Sequence, residues 1–360
     1  MTAPNPVIDP NAVIEEVERT RNSLSTDRLD MSFGEIISMY ERDEIIIDPE
    51  FQRLFRWTTD QKTSFVESIL LGIPIPPIFV AENENGQWEL VDGLQRISTI
   101  ISFFGALKSS PDKNFWTLEK GDFIKSIENL DINALPLKLK LNIKRSVCRI
   151  EIINWNSTMD MRYELFKRLN TGGSPLTDQE IRNCIFRGTS THFNTYLVKM
   201  AQLSDFIQLI SPTQKQLEEK YLEELVLRFV ALHKNGTNVT KTISVFLTDF
   251  MKDSIEHDTL DFVELEDTFK KNIQILSPLG SSIFRGRNGI FSSSLFDGVM
   301  VGIASYIDYY STATSAEILG KIELLKNDSD FSKFSGSASN SKDRVMGRVT
   351  TARRIFSPPE

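Results

Sequence analysis

Residues 90–99, LVDGLQRIST, join two patterns that are typical of different secondary structures. The apolar-rich run at 88–91 predicts a β-strand, which stops at Asp92-Gly93. A helical period follows, set by four apolar residues, Ile97, Ile100, Ile101 and Phe104. A strand, a tight turn and a helix start place unpaired backbone N–H groups and the positive end of the helix dipole at one point. The stretch therefore predicts either a plain turn or an anion site, with phosphate as the usual occupant.

The two hypotheses give the same residues different roles. In an anion site, Gly93 lets the backbone approach a phosphate oxygen, and Arg96 makes charge-assisted bonds to it. Asp92 would cap the helix, hold Mg²⁺ or orient an attacking water, and Gln95 could orient the water too. In a plain turn, Asp92-Gly93 forms the turn and cap, and Arg96 is solvated.

The composition is that of an ordinary globular protein. The chain has 360 residues, a hydrophobic fraction of 40% and a charged fraction of 25%, which predicts two or three domains. It contains no apolar run of the ~18–20 residues that span a bilayer, and its N-terminus lacks the pattern of a secretory signal. We therefore expect a cytoplasmic protein with no membrane partner.

The charged, cysteine and histidine residues exclude several kinds of site. A net charge of −8 argues against a general affinity for nucleic acid, so any DNA contact must be local. Cys148 and Cys184 are expected to be buried hydrophobes. No zinc-ligand spacing links the three histidines, His192, His233 and His257, which we expect at the surface or at helix ends.

The hydrophobic periodicity divides the chain into three segments. Residues 1–25 are a polar leader, and residues 26–187 carry both strand and helix patterns, including a β-hairpin over 76–92. From residue 160 onward the period stays helical, so residues 188–360 are predicted to form an all-α domain. The expected fold class is therefore α+β, with a mixed domain followed by a helical one.

Two further stretches indicate, when they are taken together with DGLQR, more than a set of simple turns. DPEFQRLFRW, at 48–57, places Gln52 and Arg53 among aromatic residues, and FKRLNTGG, at 166–173, ends a helix in a glycine pair. Singly, each is compatible with an aromatic mini-core or a helix–loop–helix connector. Together with DGLQR they stand in the order found in one family.

Residues 28–187 resemble the N-terminal domain of GmrSD-type restriction systems, within the ParB/sulfiredoxin-like superfamily, through FQRLFRW, DGLQRIST and FKRLNTGG. The resemblance implies a small ParB/sulfiredoxin-like domain that binds and hydrolyses a nucleoside triphosphate with Mg²⁺, coupled to restriction of modified phage DNA. It implies Asp92, Gln95 and Arg96 as catalytic residues, with Asp92 as the Mg²⁺ ligand. The phosphate-binding candidates are Gln52, Arg53, Gly93, Ser98, Arg168, Asn170, Gly172 and Gly173. The family motif is Asp-Gly-Gln-Gln-Arg, and Leu94 replaces its first Gln, which predicts weak hydrolysis.

The C-terminal region is expected to serve as a sensing and assembly module or as a scaffold for a separately encoded effector. Relatives of the family often continue into an HNH nuclease domain, and none of the three histidines here has that context. Six arginines are either solvated or contact DNA or a partner: Arg285, Arg287, Arg344, Arg348, Arg353 and Arg354.

Three functions remain open from the sequence. The first is an NTP-binding or NTP-hydrolysing regulatory component of anti-phage defence, which binds DNA, uses a separate nuclease and could form a homo-oligomer. The second is a nuclease that uses the same pocket on a DNA phosphodiester. The third is a non-catalytic reader of DNA modification or partner-binding protein, which Leu94 makes credible.

Overall fold

The computed structural model describes residues 10–47, 57–169, 176–186, 190–286, 288–336 and 339–359. Its contacts divide the chain into two units, Met1–Pro175 and Leu176–Glu360. Within the described residues, no helix is both long and apolar enough to cross a membrane.

The first unit contains a five-stranded mixed sheet with helices. The strands are β1 (Thr26–Ser32), β2 (Ile45–Ile46), β3 (Ile78–Glu82), β4 (Trp88–Asp92) and β5 (Val147–Ile153). The helices are α1 (Pro10–Asn22), α2 (Phe33–Glu41), α3 (Thr59–Leu71), α4 (Leu94–Phe103), α5 (Leu137–Arg145) and α6 (Met159–Leu169).

The sheet order is β1-β5-β3-β4-β2. The pairs β1–β5 and β3–β4 are antiparallel, whereas β3–β5 and β2–β4 are parallel. The predicted hairpin is thus confirmed as β3 and β4. One face of the sheet, which carries Ile78, Val80, Leu90 and Ile150, shares a hydrophobic core with helices such as α4, which contributes Ile97.

Local capping explains where several of these helices begin and end. The Ser32 Oγ accepts a hydrogen bond from the Glu35 N–H at the start of α2. Thr58 and Gln61 form a reciprocal capping box at α3, and Gly72 ends that helix in the left-handed conformation. The signals in the sequence therefore fix both ends of α3.

The long connection between α4 and α5 is anchored by a buried carboxylate on α3. Glu67 is only 3% exposed, and the backbone N–H groups of Asp122, Phe123 and Ile124 donate to it at 3.1, 2.8 and 2.5 Å. Burial raises the pKa of Glu67, but the hydrogen bonds from Ile124, Phe123 and Asp122 lower it more, so the pKa lies below its ordinary value. No local pattern in the sequence predicts this contact, because the carboxylate binds a loop about 55 residues away.

The second unit is helical as predicted. Its helices are α7 (Asp178–Phe186), α8 (Thr191–Ala201), α9 (Ser204–Ile210), α10 (Gln214–Glu218), α11 (Tyr221–Asn235), α12 (Ile243–His257), α13 (Phe262–Leu276), α14 (Ser293–Ala304), α15 (Ile307–Tyr310), α16 (Ser315–Asn327), α17 (Ser329–Ser335) and α18 (Lys342–Phe356). Every residue of α14 from Ser294 to Ala304 is buried, so this helix lies at the centre of the unit.

Helix α7 falls in the second unit, whereas the sequence prediction places the boundary after residue 187. Arg182 pairs with Glu224 on α11 at 3.0 Å, and the Asn183 amide donates to Glu223 on the same helix at 2.5 Å. These bonds hold α7 against α11. The division by contacts therefore lies between Pro175 and Leu176.

A buried charge cluster joins three helices of the second unit. Asp297 on α14 accepts from Arg228 on α11, at 3.0 and 2.5 Å, and from Arg348 on α18, at 3.0 and 2.6 Å. The side chains of Asp297 and Arg348 are fully buried and that of Arg228 is 4% exposed. One carboxylate thus pairs with two guanidinium groups that are buried or nearly so.

We predict that substitutions of Asp297 and of Arg348 in this cluster lower the free energy of unfolding by different amounts. Asp297→Asn leaves two buried guanidinium groups without a carboxylate, so the free energy of unfolding should fall by about 3–5 kcal/mol. Arg348→Met retains the pair with Arg228 and should cost less than about 2 kcal/mol. The control is Arg354→Met, whose 61% exposed side chain pairs with Asp328, with an expected change within about 1 kcal/mol. Equal losses for the first two variants in denaturant unfolding would contradict this account.

We also predict a contribution of Glu67 to acid sensitivity. Because its folded pKa is depressed, its stabilisation is present above the ordinary glutamate pKa of about 4.3 and is lost as the pH falls through the folded value. Glu67→Gln should lower the free energy of unfolding at pH 7 by about 1–3 kcal/mol and flatten its decline below pH ~5. Thermal unfolding across pH measures this. The control variant is Glu119→Gln, at an exposed carboxylate. A profile for Glu67→Gln as steep as that of the wild type would exclude the assignment.

Candidate functional site

The turn after β4 is built around a glycine that no other residue can replace without strain. Gly93 is the N-cap of α4 and has φ +98°. A Cβ at this position would lie 2.8 Å from Cγ1 of Ile78 on the neighbouring strand. The close approach and the left-handed backbone together explain why the strand-to-helix change occurs at Asp92-Gly93.

The Arg96 side chain bridges this turn to the two prolines that precede β3. Its Nη1 donates to the carbonyl oxygens of Pro76 and Pro77 at 2.5 and 3.1 Å, and its Nη2 donates to Asp92 Oδ2 at 2.7 Å. The side chain is only 13% exposed. Arg96 is therefore a positioning residue in this structure, which corrects the expectation of a solvated side chain in the turn hypothesis.

The carboxylate of Asp92 is the accessible charged group at the turn. Its side chain is 37% exposed, and the bond from Arg96 uses only Oδ2. The sequence analysis offered helix capping as one role for Asp92, but the N-cap is Gly93 and no side chain caps α4. Asp92 thus lies beside an N-terminus without a side-chain cap, with Oδ1 directed to no described partner.

Gln95 links the turn to the neighbouring helix α3. Its Oε1 accepts a hydrogen bond from the backbone N–H of Trp57 at 3.1 Å, just before α3 begins. The bond ties the start of α4 to the start of α3. This bond gives Gln95 a positioning role, and its predicted role in orienting water stays a prediction.

Two hydroxyl groups on the next turn of α4 are buried without a hydrogen-bond partner. Ser98 and Thr99 are 1% and 0% exposed, and neither side-chain oxygen bonds to any part of the chain that the structure describes. Buried hydroxyl groups are usually paired. The predicted phosphate-binding residue Ser98 is thus a buried donor behind the turn.

The remaining residues of the predicted pocket have different positions. Arg168 is at the end of α6 with a 79% exposed side chain, 3.7 Å from Glu164. Gln52, Arg53, Asn170, Gly172 and Gly173 lie outside the described residues. The structure therefore brings together Asp92, Gly93 and Arg96 and leaves the other two motifs as predictions.

A second polar cluster in the same unit escaped the sequence analysis. Burial raises the pKa of Glu89 on β4, and burial lowers the pKa of Arg162 on α6, whose charge in turn attracts Glu89. Arg162 lies 5.1 Å from the Trp155 ring centroid and donates to the Glu82 carbonyl at 3.4 Å. A sequence signal for this cluster was available. Successive side chains of β4 point to opposite faces of the sheet, so Glu89 lies on the face opposite to the buried Leu90.

The structure changes the roles of most C-terminal arginines. Arg348 is buried on Asp297, so its predicted contact with DNA or a partner is wrong. Arg353 donates to the His233 carbonyl and Arg354 pairs with Asp328. Arg285 donates to the carbonyl oxygens of Gly289 and Ile210, Arg344 is half-buried, and Arg287 lies outside the described residues.

The histidines and cysteines form no metal site in the part of the chain that the structure describes. No group of three His, Cys, Asp or Glu residues is placed to hold an ion there. Burial lowers the pKa of His233 to about 4, so it is neutral at pH 7 rather than a charged helix cap, whereas His192 and His257 are exposed. Cys148 is buried as predicted, and Cys184 is half-buried.

The second unit also contains an open cavity of about 540 Å³ near the ends of α11 and α12. Its lining includes Lys234, Phe250, Asp253 and His257, and it contains none of the predicted site residues.

Comparison with known proteins places the motifs in a family. No curated protein and no solved structure matches the chain. Residues 33–187 match the model of the GmrSD restriction endonuclease, N-terminal domain. This match contains all three motifs and the turn built by Asp92, Gly93 and Arg96. The segment 33–187 is therefore a member of the GmrSD N-terminal domain family.

Proposed function

We propose that this protein is a nucleoside triphosphate-binding and hydrolysing component of a restriction-type, anti-phage system. The family match supports membership of such a system. The observation that carries the nucleotide role is the accessible Asp92 carboxylate beside the N-terminus of α4, which no side chain caps. A phosphate group suits the first-turn N–H groups of a helix, because they supply both donors and a positive dipole end.

The chemistry divides between a few groups of the chain. The N–H groups at the start of α4 would bind a phosphate, and Gly93 supplies the left-handed turn that leads from β4 into them. Asp92 would hold Mg²⁺ through Oδ1, and the ion would supply charge neutralisation at the phosphates. Mg²⁺ commonly takes one or two protein carboxylates and fills its remaining sites with water and phosphate oxygens, so a single carboxylate fits this role. Arg96 orients Asp92.

The remaining parts of the proposal follow from the family resemblance. Gln52, Arg53, Arg168, Asn170, Gly172 and Gly173 would complete the phosphate pocket in a ParB/sulfiredoxin-like arrangement, with Ser98 buried behind it. A separately encoded nuclease would cut DNA, and the protein would act in the cytoplasm, alone or as a homo-oligomer.

One observation favours a second candidate, a non-catalytic reader of DNA modification or partner-binding protein. Leu94 stands where the family has its first Gln, and its side chain packs against the hydrophobic core. This position therefore has no polar group with which to position water. In this case the pocket would bind a nucleotide, or a DNA phosphodiester, without turnover.

We predict that Asp92→Asn separates binding from hydrolysis. Asparagine keeps an oxygen that accepts from Arg96 but lacks the charge that holds Mg²⁺. Phosphate release should therefore fall by about 100-fold or more, while nucleotide affinity without Mg²⁺ changes little. Calorimetry and phosphate release with ATP, GTP, CTP and UTP measure the two effects. The control is Glu84→Gln, an exposed carboxylate of the β3–β4 hairpin.

Each outcome of this experiment has a clear meaning. If the wild-type chain binds none of the four nucleotides with Mg²⁺, the proposal is wrong. If it binds one without turnover, the non-catalytic candidate is correct. A bound nucleotide at ~100 times its Kd should also stabilise the fold by about 2.7 kcal/mol, which a thermal-shift measurement detects.

We predict that Arg96→Ala destabilises the first unit. The variant leaves two proline carbonyls and Asp92 without their donor, so the free energy of unfolding should fall by about 1–3 kcal/mol. Arg28→Ala is the matched control, since its 73% exposed guanidinium pairs with Glu151 at the surface and should contribute less than about 1 kcal/mol. Unchanged stability together with lost nucleotide affinity would instead make Arg96 a direct phosphate ligand.

A further inference from the structure

A basic segment of the first unit carries positive charge that the fold does not neutralise. Between Asp131 and Glu151 the sequence contains five cationic residues and no acidic one. Three of the cationic side chains, Lys138, Lys144 and Arg145, are on α5 and are exposed. Only Ile143 of this helix is fully buried, where α5 contacts α2 and α3. The rest of the helix therefore presents a cationic face.

The nearby acidic groups are already engaged elsewhere. Glu35 pairs with Arg42 at 3.1 Å, and Asp131 accepts from the Ala134 N–H at 2.7 Å. Asp30 pairs with Arg149 at 3.0 Å. Within the described residues, Lys138 and Arg145 have no acidic partner, and Lys144 has only the Phe104 ring, whose centroid is 5.4 Å from its Nζ. Three positive charges thus remain uncompensated on one helix.

Helix stability does not account for this arrangement. Lys144 and Arg145 are in the last turn, where cations interact favourably with the helix dipole, but Lys138 is in the first turn, where they do not. No acidic residue occupies that first turn to offset it. The helix dipole therefore stabilises Lys144 and Arg145 but not Lys138.

The spacing of the three charges suits a polyanion. Lys138 and Arg145 are separated by about 10 Å along the helix axis, so the two charges can contact different phosphates of one DNA strand. Isolated small anions need no such row, whereas a phosphate backbone presents its charges in series.

We propose that the exposed face of α5, formed by Lys138, Lys144 and Arg145, binds the phosphate backbone of duplex DNA. The choice of DNA rather than another polyanion rests on the proposed role in restriction. The surface itself does not depend on the nucleotide pocket. Because the whole chain has a net charge of −8, binding at this face should be local, largely independent of base sequence and sensitive to salt.

The test compares two triple variants of the full chain that lose the same charge. The first carries Lys138→Gln, Lys144→Gln and Arg145→Gln. The control carries Lys215→Gln, Lys333→Gln and Lys342→Gln, at three exposed lysines of the second unit. Fluorescence anisotropy with a labelled duplex of about 20 bp, from about 50 to 200 mM salt, gives the affinity and its salt slope.

We expect the α5 variant to bind duplex about tenfold or more weakly and to lose about 2–3 from the salt slope, since each phosphate contact contributes about 0.9. The control should bind as the wild type does. If the triple variant does not fold, the three single variants are tested instead, and each should lower the salt slope by about 0.9. Nucleotide affinity is measured in the same proteins and should be unchanged, so failure of the pocket and failure of the DNA surface can be distinguished.

Three results would overturn the proposal. One is a wild-type chain that shows no salt-dependent duplex binding. Another is an equal loss in both triple variants, which would assign the effect to net charge alone. The third is displacement of the duplex by poly-glutamate more readily than by unlabelled duplex of equal charge, which would identify an acidic protein as the partner.

Discussion

The Arg96 guanidinium is the interaction on which the candidate site depends. It joins two segments that are distant in sequence, the proline-rich entry to β3 and the turn that leaves β4, by donating to Pro76, Pro77 and Asp92. The carbonyl oxygens of Pro76 and Pro77 are hydrogen-bond acceptors that need donors. The prolines themselves have no N–H to donate, and Arg96 supplies the donor. With Gly93 packed against Ile78, the same contact fixes the direction of the Asp92 carboxylate. Any chemistry at Asp92 therefore depends on a side chain that need not contact the ligand.

The elements that surround this turn could be predicted from the sequence because their signals are local. Apolar periodicity predicted the hairpin and α4, and the capping residues Thr58, Gln61 and Gly72 mark the ends of α3. Two elements were missed for physical reasons. β1 is an edge strand with five exposed residues, held by backbone pairing and by the cross-strand pairs of Arg28 with Glu151 and Asp30 with Arg149. In α5, leucines alternate with lysines as they would in a strand, yet the segment is a helix that packs mainly through Ile143.

The structure brings three of the predicted site residues together at one turn, but the sequence did not predict all of their roles. Asp92, Gly93 and Arg96 lie together as expected. Gln95 and Arg96 point toward backbone groups of Trp57, Pro76 and Pro77, and these partners are 38, 20 and 19 residues away. Such bonds leave no periodic pattern, so a polar side chain that positions a turn looks the same in sequence as one that binds a ligand.

Contacts between residues that are distant in sequence also distinguish the two basic helices, α5 and α18. They change where we expect DNA to bind. In sequence, α18 and α5 are alike, because each carries several cations and few acidic residues. Their environments differ through residues far along the chain. Asp297 and Asp328 neutralise Arg348 and Arg354, while the acids around α5 are paired with other groups. Whether a charge is available to a polyanion is therefore decided by tertiary pairing rather than by local composition. In a chain with net charge −8, only unpaired cations such as those of α5 can supply a local site.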